Sequence, residues 1–200
     1  MFLRHLIGLL TNPGAEWRLI RDRDYGIGGC LGGHTLLLAL IPAVSGFVGT
    51  TQIGWRIGAG DPVRLTTASA APIAVLYYLA MIAAAISVGW VIRWMSQTYG
   101  SHPSFAQCLV LASYTATPLF LIGIMQLYPV LWLNMIVGLF ALALTIRIFF
   151  AGVPVMMGIP EERAFLFASA AMAFGLVTLV AMLAVTALLW GAGFAPVFTR

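Results

Sequence analysis

Long apolar runs alternate along the chain with short segments that carry the charges. Each run has about 20 residues or more, the length of helix that crosses ~30 Å of hydrocarbon. Polar and apolar positions do not alternate within the runs, as they would in the strands of a membrane barrel. The pattern therefore predicts five helices. Their residues are 33–53, 70–92, 105–127, 130–153 and much of the uncharged stretch between Arg163 and Arg200.

The first 25 residues follow a different pattern. Within residues 2–10, Arg4, His5 and Gly8 fall on one side of a helix, whereas the Phe, Leu and Ile residues fall on the other. This segment is too short to span a bilayer, so it is predicted to lie in the headgroup region. A second short helix is predicted to follow, because Pro13 and Glu16 are typical of a helix start.

The composition requires lipid as the solvent of this chain. Of its 200 residues, 62% are hydrophobic and 8% are charged, and the mean hydropathy is +1.01; a soluble surface normally needs about a quarter of all residues charged. The predicted fold class is all-α, an integral membrane bundle of five transmembrane helices preceded by an interfacial amphipathic helical segment. Residues 1–25 are predicted to form the cytoplasmic N-terminal segment, and residues 26–200 the transmembrane domain.

The basic residues, all of them arginines, predict the orientation. With the N-terminus inside, seven of the ten lie on or near the cytoplasmic side and three lie outside. The positive-inside rule favours this arrangement, which places the C-terminus outside.

Four of the arginines lie within the first 23 residues, where they would suit anionic headgroups at the cytoplasmic face. Nucleic acid is not a predicted partner, because Asp22 and Asp24 interrupt the basic patch and no recognition module follows. The residues predicted to contact headgroups are Arg4, Arg18, Arg21 and Trp17.

Polar residues occur at mid-depth in the third run, in the stretch ASYTATP. Pro118 has no N–H, so the carbonyl of Tyr114 loses its helical partner. Thr115 and Thr117 can bond back to carbonyls of the preceding turn. Two interpretations stay open: a kinked helix whose polar groups hold it to its neighbours, or a cavity in which Tyr114 contacts a ligand.

Arg147 is the one formal charge inside a predicted span. It lies seven residues before Pro154, or about 10 Å from the helix end at about 1.5 Å per residue. Its guanidinium can snorkel that far to the headgroups. The alternative is an interior role, pairing with carbonyls or lining a pathway.

Catalytic, metal and cofactor sites are not predicted. GAGD, residues 58–61, lacks the second Asp of an aspartyl dyad, and AVSG, residues 43–46, lacks a later His to act as its base. Cys30 and Cys108 are predicted to be small buried residues. The glycine-rich residues 26–34 are expected to lead flexibly into the first span. No predicted span contains Asp or Glu and His34 lies at a span edge, which disfavours ion-coupled transport.

Small residues four apart predict where helices approach closely, since lipid offers no hydrophobic drive for their association. These pairs are Ser45/Gly49, Ala85/Gly89 and Ala171/Gly175.

Four stretches in order, NPGAEWRLI, ASYTATP, YPVLW and AGVPVMMGIPEERAF, resemble the Yip (Ypt-interacting protein) family and are most similar to its bacterial, YohC-like inner-membrane branch. The resemblance covers nearly the whole chain and implies five helices, a cytoplasmic N-terminus and an external C-terminus. Eukaryotic members act in membrane traffic and contact Rab-type GTPases through a long N-terminal region and a DLYGP motif, both absent from this sequence. The family pattern falls on Asn12, Pro13, Trp17, Ile20, Ala112, Tyr114 and Pro118.

The leading hypothesis is a non-enzymatic protein of the bacterial inner membrane that interacts with lipids or with other membrane proteins. The alternative is a small transporter or channel, in some oligomeric form, with a path near Tyr114, Thr117 and Arg147. A homo-oligomer or a membrane-protein partner is compatible with either hypothesis.

Overall fold

A computed structural model describes residues 2–23, 26–56, 61–191 and 197–199 of the chain. The side chains of residues 2–4 and of several residues between 178 and 190 lie outside that description. The described chain is mostly helical. Its helices are α1 (Phe2–Thr11), α2 (Pro13–Asp22), α3 (Ile27–Ile53), α4 (Thr67–Thr98), α5 (Phe105–Leu127), α6 (Leu131–Met157) and α7 (Glu161–Gly191).

The long helices follow the apolar runs. Among the described residues, α3, α4, α5 and α6 are long and apolar enough to cross a membrane, and α7 is a helix of 31 residues in the fifth stretch. The start of α3 differs from the prediction, because the glycine-rich residues are helical and include a π-helical turn at Leu31–Thr35. In an apolar environment backbone groups must bond to one another, which favours helix even for glycine.

The proline in α5 breaks the helix where the sequence predicts a kink. Regular α-helix ends at Thr115 and resumes at Thr117, with Ala116 between the two parts. The last turn of α5, Gly123–Leu127, is a 3-10 helix. Polar side chains close to Pro118 are thereby placed at the middle of the bundle.

A small antiparallel sheet, which the pattern does not predict, lies at one end of the bundle. Strand β1 (Arg64–Leu65), which lies between the end of α3 and the start of α4, pairs with strand β2 (Phe198–Thr199), which follows α7. We call this the strand end. At the opposite end, where α4 and α6 finish, Ser101 Oγ donates a hydrogen bond of 2.5 Å to the carbonyl of Met157. Helices α1 and α2, together called the head, pack at this second end, the head end.

Two of the three predicted small-residue pairs lie at close helix contacts. A Cβ added to Gly89 would lie 3.1 Å from the Cα of Leu109, and one added to Gly49 would lie 1.9 Å from the carbonyl oxygen of Gln126. In the third pair, a Cβ added to Gly175 meets nothing within 4 Å among the described residues, so a close approach is not seen at this glycine. Glycine is thus required where α3 meets α5 and where α4 meets α5.

Gly49→Ala is expected to destabilise the bundle by about 3 kcal/mol, the upper part of the range for overpacking, because a backbone oxygen cannot move aside as a side chain can. Thermal unfolding of the purified protein in detergent measures the effect. The matched control is Gly175→Ala, which should be neutral or stabilising by up to ~1 kcal/mol. Equal melting temperatures for the two variants would contradict the close contact.

Candidate functional site: a buried histidine–tyrosine cluster

The head is attached to the bundle through Trp17. Its side chain is 0% exposed, and its indole Nε1 donates a 3.0 Å hydrogen bond to the carbonyl of Ile148. A Cβ on Gly152 would lie 2.6 Å from the Trp17 ring, so this glycine provides the space for the indole. A second attachment is Arg21, whose Nη1 donates to the carbonyl of Val155 at 2.5 Å. The head therefore docks on α6 by fixed, directional contacts.

A buried acid and a buried histidine join the two helices of the head. His5 Nδ1 bonds to Glu16 Oε1, and both residues are buried. Gly8 leaves room for Glu16, since a Cβ there would lie 2.0 Å from the carboxylate. His5 Nε2 is 3.2 Å from Nη1 of Arg23. Arginine cannot accept a hydrogen bond, so Nε2 accepts and the Nδ1 proton points at Glu16; this pattern corresponds to a neutral His5.

Tyr114 connects this part of the head to the membrane-length helices. Its ring stacks on His34, with the ring centroids 4.0 Å apart and an interplanar angle of 10°. His5 and Trp17 each meet the Tyr114 ring edge-on, with centroid separations of 6.4 Å. Such edge-on pairs match the quadrupoles of aromatic rings. These residues with Glu16 form what we call the histidine–tyrosine cluster.

The cluster extends to mid-depth through His34. This residue is buried within α3, and its Nε2 is 2.9 Å from the hydroxyl oxygen of Thr117. Thr117 therefore bonds across helices instead of back to its own preceding turn. The expected back-bond of Thr115 is also not observed, since its buried hydroxyl has no hydrogen-bond partner among the described residues. The polar break in α5 holds α3 and α5 together, which favours the first interpretation of this stretch.

The residues expected to contact headgroups have different surroundings. Trp17 is a correction, because an indole that is fully buried against α6 cannot reach a lipid headgroup. Arg18 is exposed, and Arg21 is exposed with one nitrogen engaged by Val155. The side chain of Arg4 lies outside the described residues.

The residues of the alternative transport path are not brought together. Tyr114 and Thr117 are buried in the cluster, whereas Arg147 lies exposed on the outer surface of α6. Its exposure matches snorkelling better than an interior role. Arg147 therefore does not line a common path with Tyr114 and Thr117.

Sequence reasoning missed three members of the cluster. The sequence pattern places His5 only on the polar side of α1, Glu16 only at a helix start and His34 at a span edge. Cys30 and Cys108 are buried, as expected. Within the described part of the chain, no three His, Cys, Asp or Glu side chains are grouped so that they could hold a metal ion.

A bundle of membrane-length helices with two shorter helices docked on it defines a multi-pass membrane protein. The chain belongs to the Yip1 domain family, whose sequence profile matches residues 7–182. It is 40% identical over 192 residues to the protein described as inner membrane protein YohC of Escherichia coli strain K12, covering 96% of this chain and 98% of that one. The protein of the same description from Escherichia coli O6:H1 strain CFT073 matches equally. These matches confirm the resemblance of the four motifs, while no solved structure matches the chain.

Proposed function

We propose that the chain is a non-enzymatic protein of the bacterial inner membrane that binds anionic lipid headgroups through its head at the cytoplasmic face. Five crossings are part of this proposal. Helix α7 starts just after Met157 at the head end, and the chain reaches β2 at the strand end, which supports a fifth crossing. The location is supported by the Escherichia coli relative, which is described as an inner membrane protein.

The observation that carries the proposal is the way in which the head is attached. Trp17 and Arg21 bond to carbonyls of α6, and Glu16 is turned inward to His5. Glu16 is thus removed from the surface while Arg18 and Asp22 stay exposed, and Arg18 has no hydrogen bond or ion pair with another described residue. A rigid platform with an outward arginine suits a phosphate-bearing headgroup.

Arg18→Gln is expected to weaken the preference of the reconstituted protein for anionic lipid by about fivefold, since one arginine near an anionic surface contributes about 1 kcal/mol. Electron spin resonance with spin-labelled phosphatidylglycerol and phosphatidylcholine measures the preference as a ratio of association constants. The matched control is Arg18→Lys, which keeps the charge and should keep the ratio. The proposal fails if the Gln variant retains the ratio of the unmodified protein.

A further inference from the structure

Two cavities adjoin each other at the strand end, far from the head. The first, of about 640 Å³, lies between α3, α4 and the small sheet of β1 and β2. The second, of about 430 Å³, lies between α3, α5 and α6. Both volumes fall in the ~300–1,000 Å³ range of ligand sites. The cavities share four lining residues: Gly46, Thr50, Trp55 and Gln126.

The lining of both cavities is almost entirely apolar, and its hydroxyl and side-chain amide groups already have partners. Gln126 Nε2 donates to the hydroxyl of Tyr77 at 3.1 Å, and the hydroxyl of Thr50 donates to the carbonyl of Gly46 at 2.7 Å. A polar solute would therefore gain little inside. Lining residues Ile73 of the first cavity and Met135 of the second are 43% and 52% exposed, so both cavities open onto the flank of the bundle that faces hydrocarbon.

Charged residues of both signs occur in the chain segment that borders the first cavity. Asp61 is a lining residue, is exposed, and forms no hydrogen bond or ion pair with another described residue. Arg64 is exposed in β1 beside the lining residues Val63 and Leu65 without lining the cavity itself. Its Nε donates to the carbonyl of Ile53 at 3.4 Å, which leaves its terminal nitrogens for a group bound outside the cavity. A carboxylate suits a primary ammonium group, and a guanidinium suits a phosphate.

We propose that the two cavities hold the two acyl chains of one phospholipid whose headgroup carries both an amine and a phosphate, as phosphatidylethanolamine does. One chain lies in each cavity, the ammonium group bonds to Asp61, and the phosphate lies at Arg64. The apolar linings, the shared wall and the two neighbouring charges of opposite sign each match one part of such a molecule. This site is separate from the headgroup contacts proposed for the head, and substitutions at one end leave the other intact.

The test is native mass spectrometry of the full chain, purified in detergent, delipidated and titrated with phospholipids that have identical acyl chains. Ala74 lines the first cavity, so Ala74→Trp fills it and should lower the affinity for phosphatidylethanolamine at least tenfold. The matched control is Ala84→Trp on the exposed face of the same helix, which should leave the affinity unchanged. Thermal unfolding without lipid establishes that both variants are folded.

A second substitution separates one chain from two. A Cβ on Gly138, which lines the second cavity, meets nothing within 4 Å, so Gly138→Leu fills that cavity without a clash at Cβ. It should weaken binding of the diacyl lipid at least fivefold and leave the single-chain lyso form unaffected. Equal loss of both forms would overturn the assignment of one chain to each cavity.

The headgroup contacts are tested by substitutions of the two exposed charged residues. Asp61→Asn should reduce the preference for phosphatidylethanolamine over phosphatidylcholine, which lacks N–H donors, by about fivefold, whereas Arg64→Gln should weaken both lipids alike. These variants keep the test decisive if Ala74→Trp does not fold. The proposal is overturned if phosphatidylglycerol binds as tightly as phosphatidylethanolamine, or if the two Trp variants bind equally.

Discussion

Replacing Trp17 with Ala is expected to lower the free energy of unfolding by about 3–5 kcal/mol, the range for removal of a fully buried large aromatic side chain. The indole fills the space above Gly152 and donates to the Ile148 carbonyl, so its loss leaves a cavity between α2 and α6. Reversible unfolding in mixed micelles measures the change. Hydrogen exchange should also accelerate in residues 13–22, because the same contacts fix the head.

The control for this prediction is Trp94→Ala, in which the indole removed is 62% exposed and the expected change is within about 0.5 kcal/mol. A double-mutant cycle isolates the contact further. Gly152→Ala alone should destabilise by about 1–3 kcal/mol through overpacking, and less when Trp17 is already Ala, because the added methyl group then enters the empty space. Additive effects, or a Trp17→Ala change as small as that of Trp94→Ala, would show that the head is not docked as described.

The membrane helices could be predicted from the sequence because the bilayer fixes their length and their polarity. The apolar runs at 105–127 and 130–153 nearly coincide with α5 and α6. The start of α3 could not be predicted in this way, because glycine is a poor helix former in water. The need for every backbone group to be hydrogen-bonded, which favours helix even for glycine, applies only in an apolar environment. The β1–β2 pairing joins residues more than 130 positions apart, and neither strand is long enough to show a period.

The histidine–tyrosine cluster could be predicted only in part, for a related reason. The sequence indicates Tyr114 because proline and polar residues stand out against an apolar run. His5 and Glu16 did not stand out, since each also fits the amphipathic pattern of a short surface helix. The interaction of Trp17 with Ile148 spans 131 positions, and a tryptophan near a membrane end is equally typical of the interface. The docking of the head, which no local pattern encodes, decides between these readings.

His5→Leu is expected to destabilise the docked head by about 3 kcal/mol or more, the cost of leaving a buried charged acceptor without its hydrogen-bond donor. The substitution leaves the Glu16 carboxylate buried without its imidazole donor, so the head should separate from the bundle to hydrate it. Trypsin cleavage after Arg18 and Arg21 then becomes faster, because proteolysis follows the population of the open form. His102→Leu is the matched control, since that histidine is exposed at the head end, and its cleavage rate should equal that of the unmodified chain.

Substitution of the partner residue, Glu16, has a smaller expected effect than His5→Leu, and the difference between the two tests whether a buried carboxylate is present. Glu16→Gln removes the charge and leaves only neutral groups to satisfy, so about 1–3 kcal/mol is expected. In the double variant His5→Leu/Glu16→Met, no buried charge remains and the side chains have similar volume. Such replacement of a buried pair by apolar residues is often neutral, so the double variant should resist trypsin better than His5→Leu alone. If the double variant is the most easily cleaved of the three, the cluster acts through shape and not through a buried carboxylate.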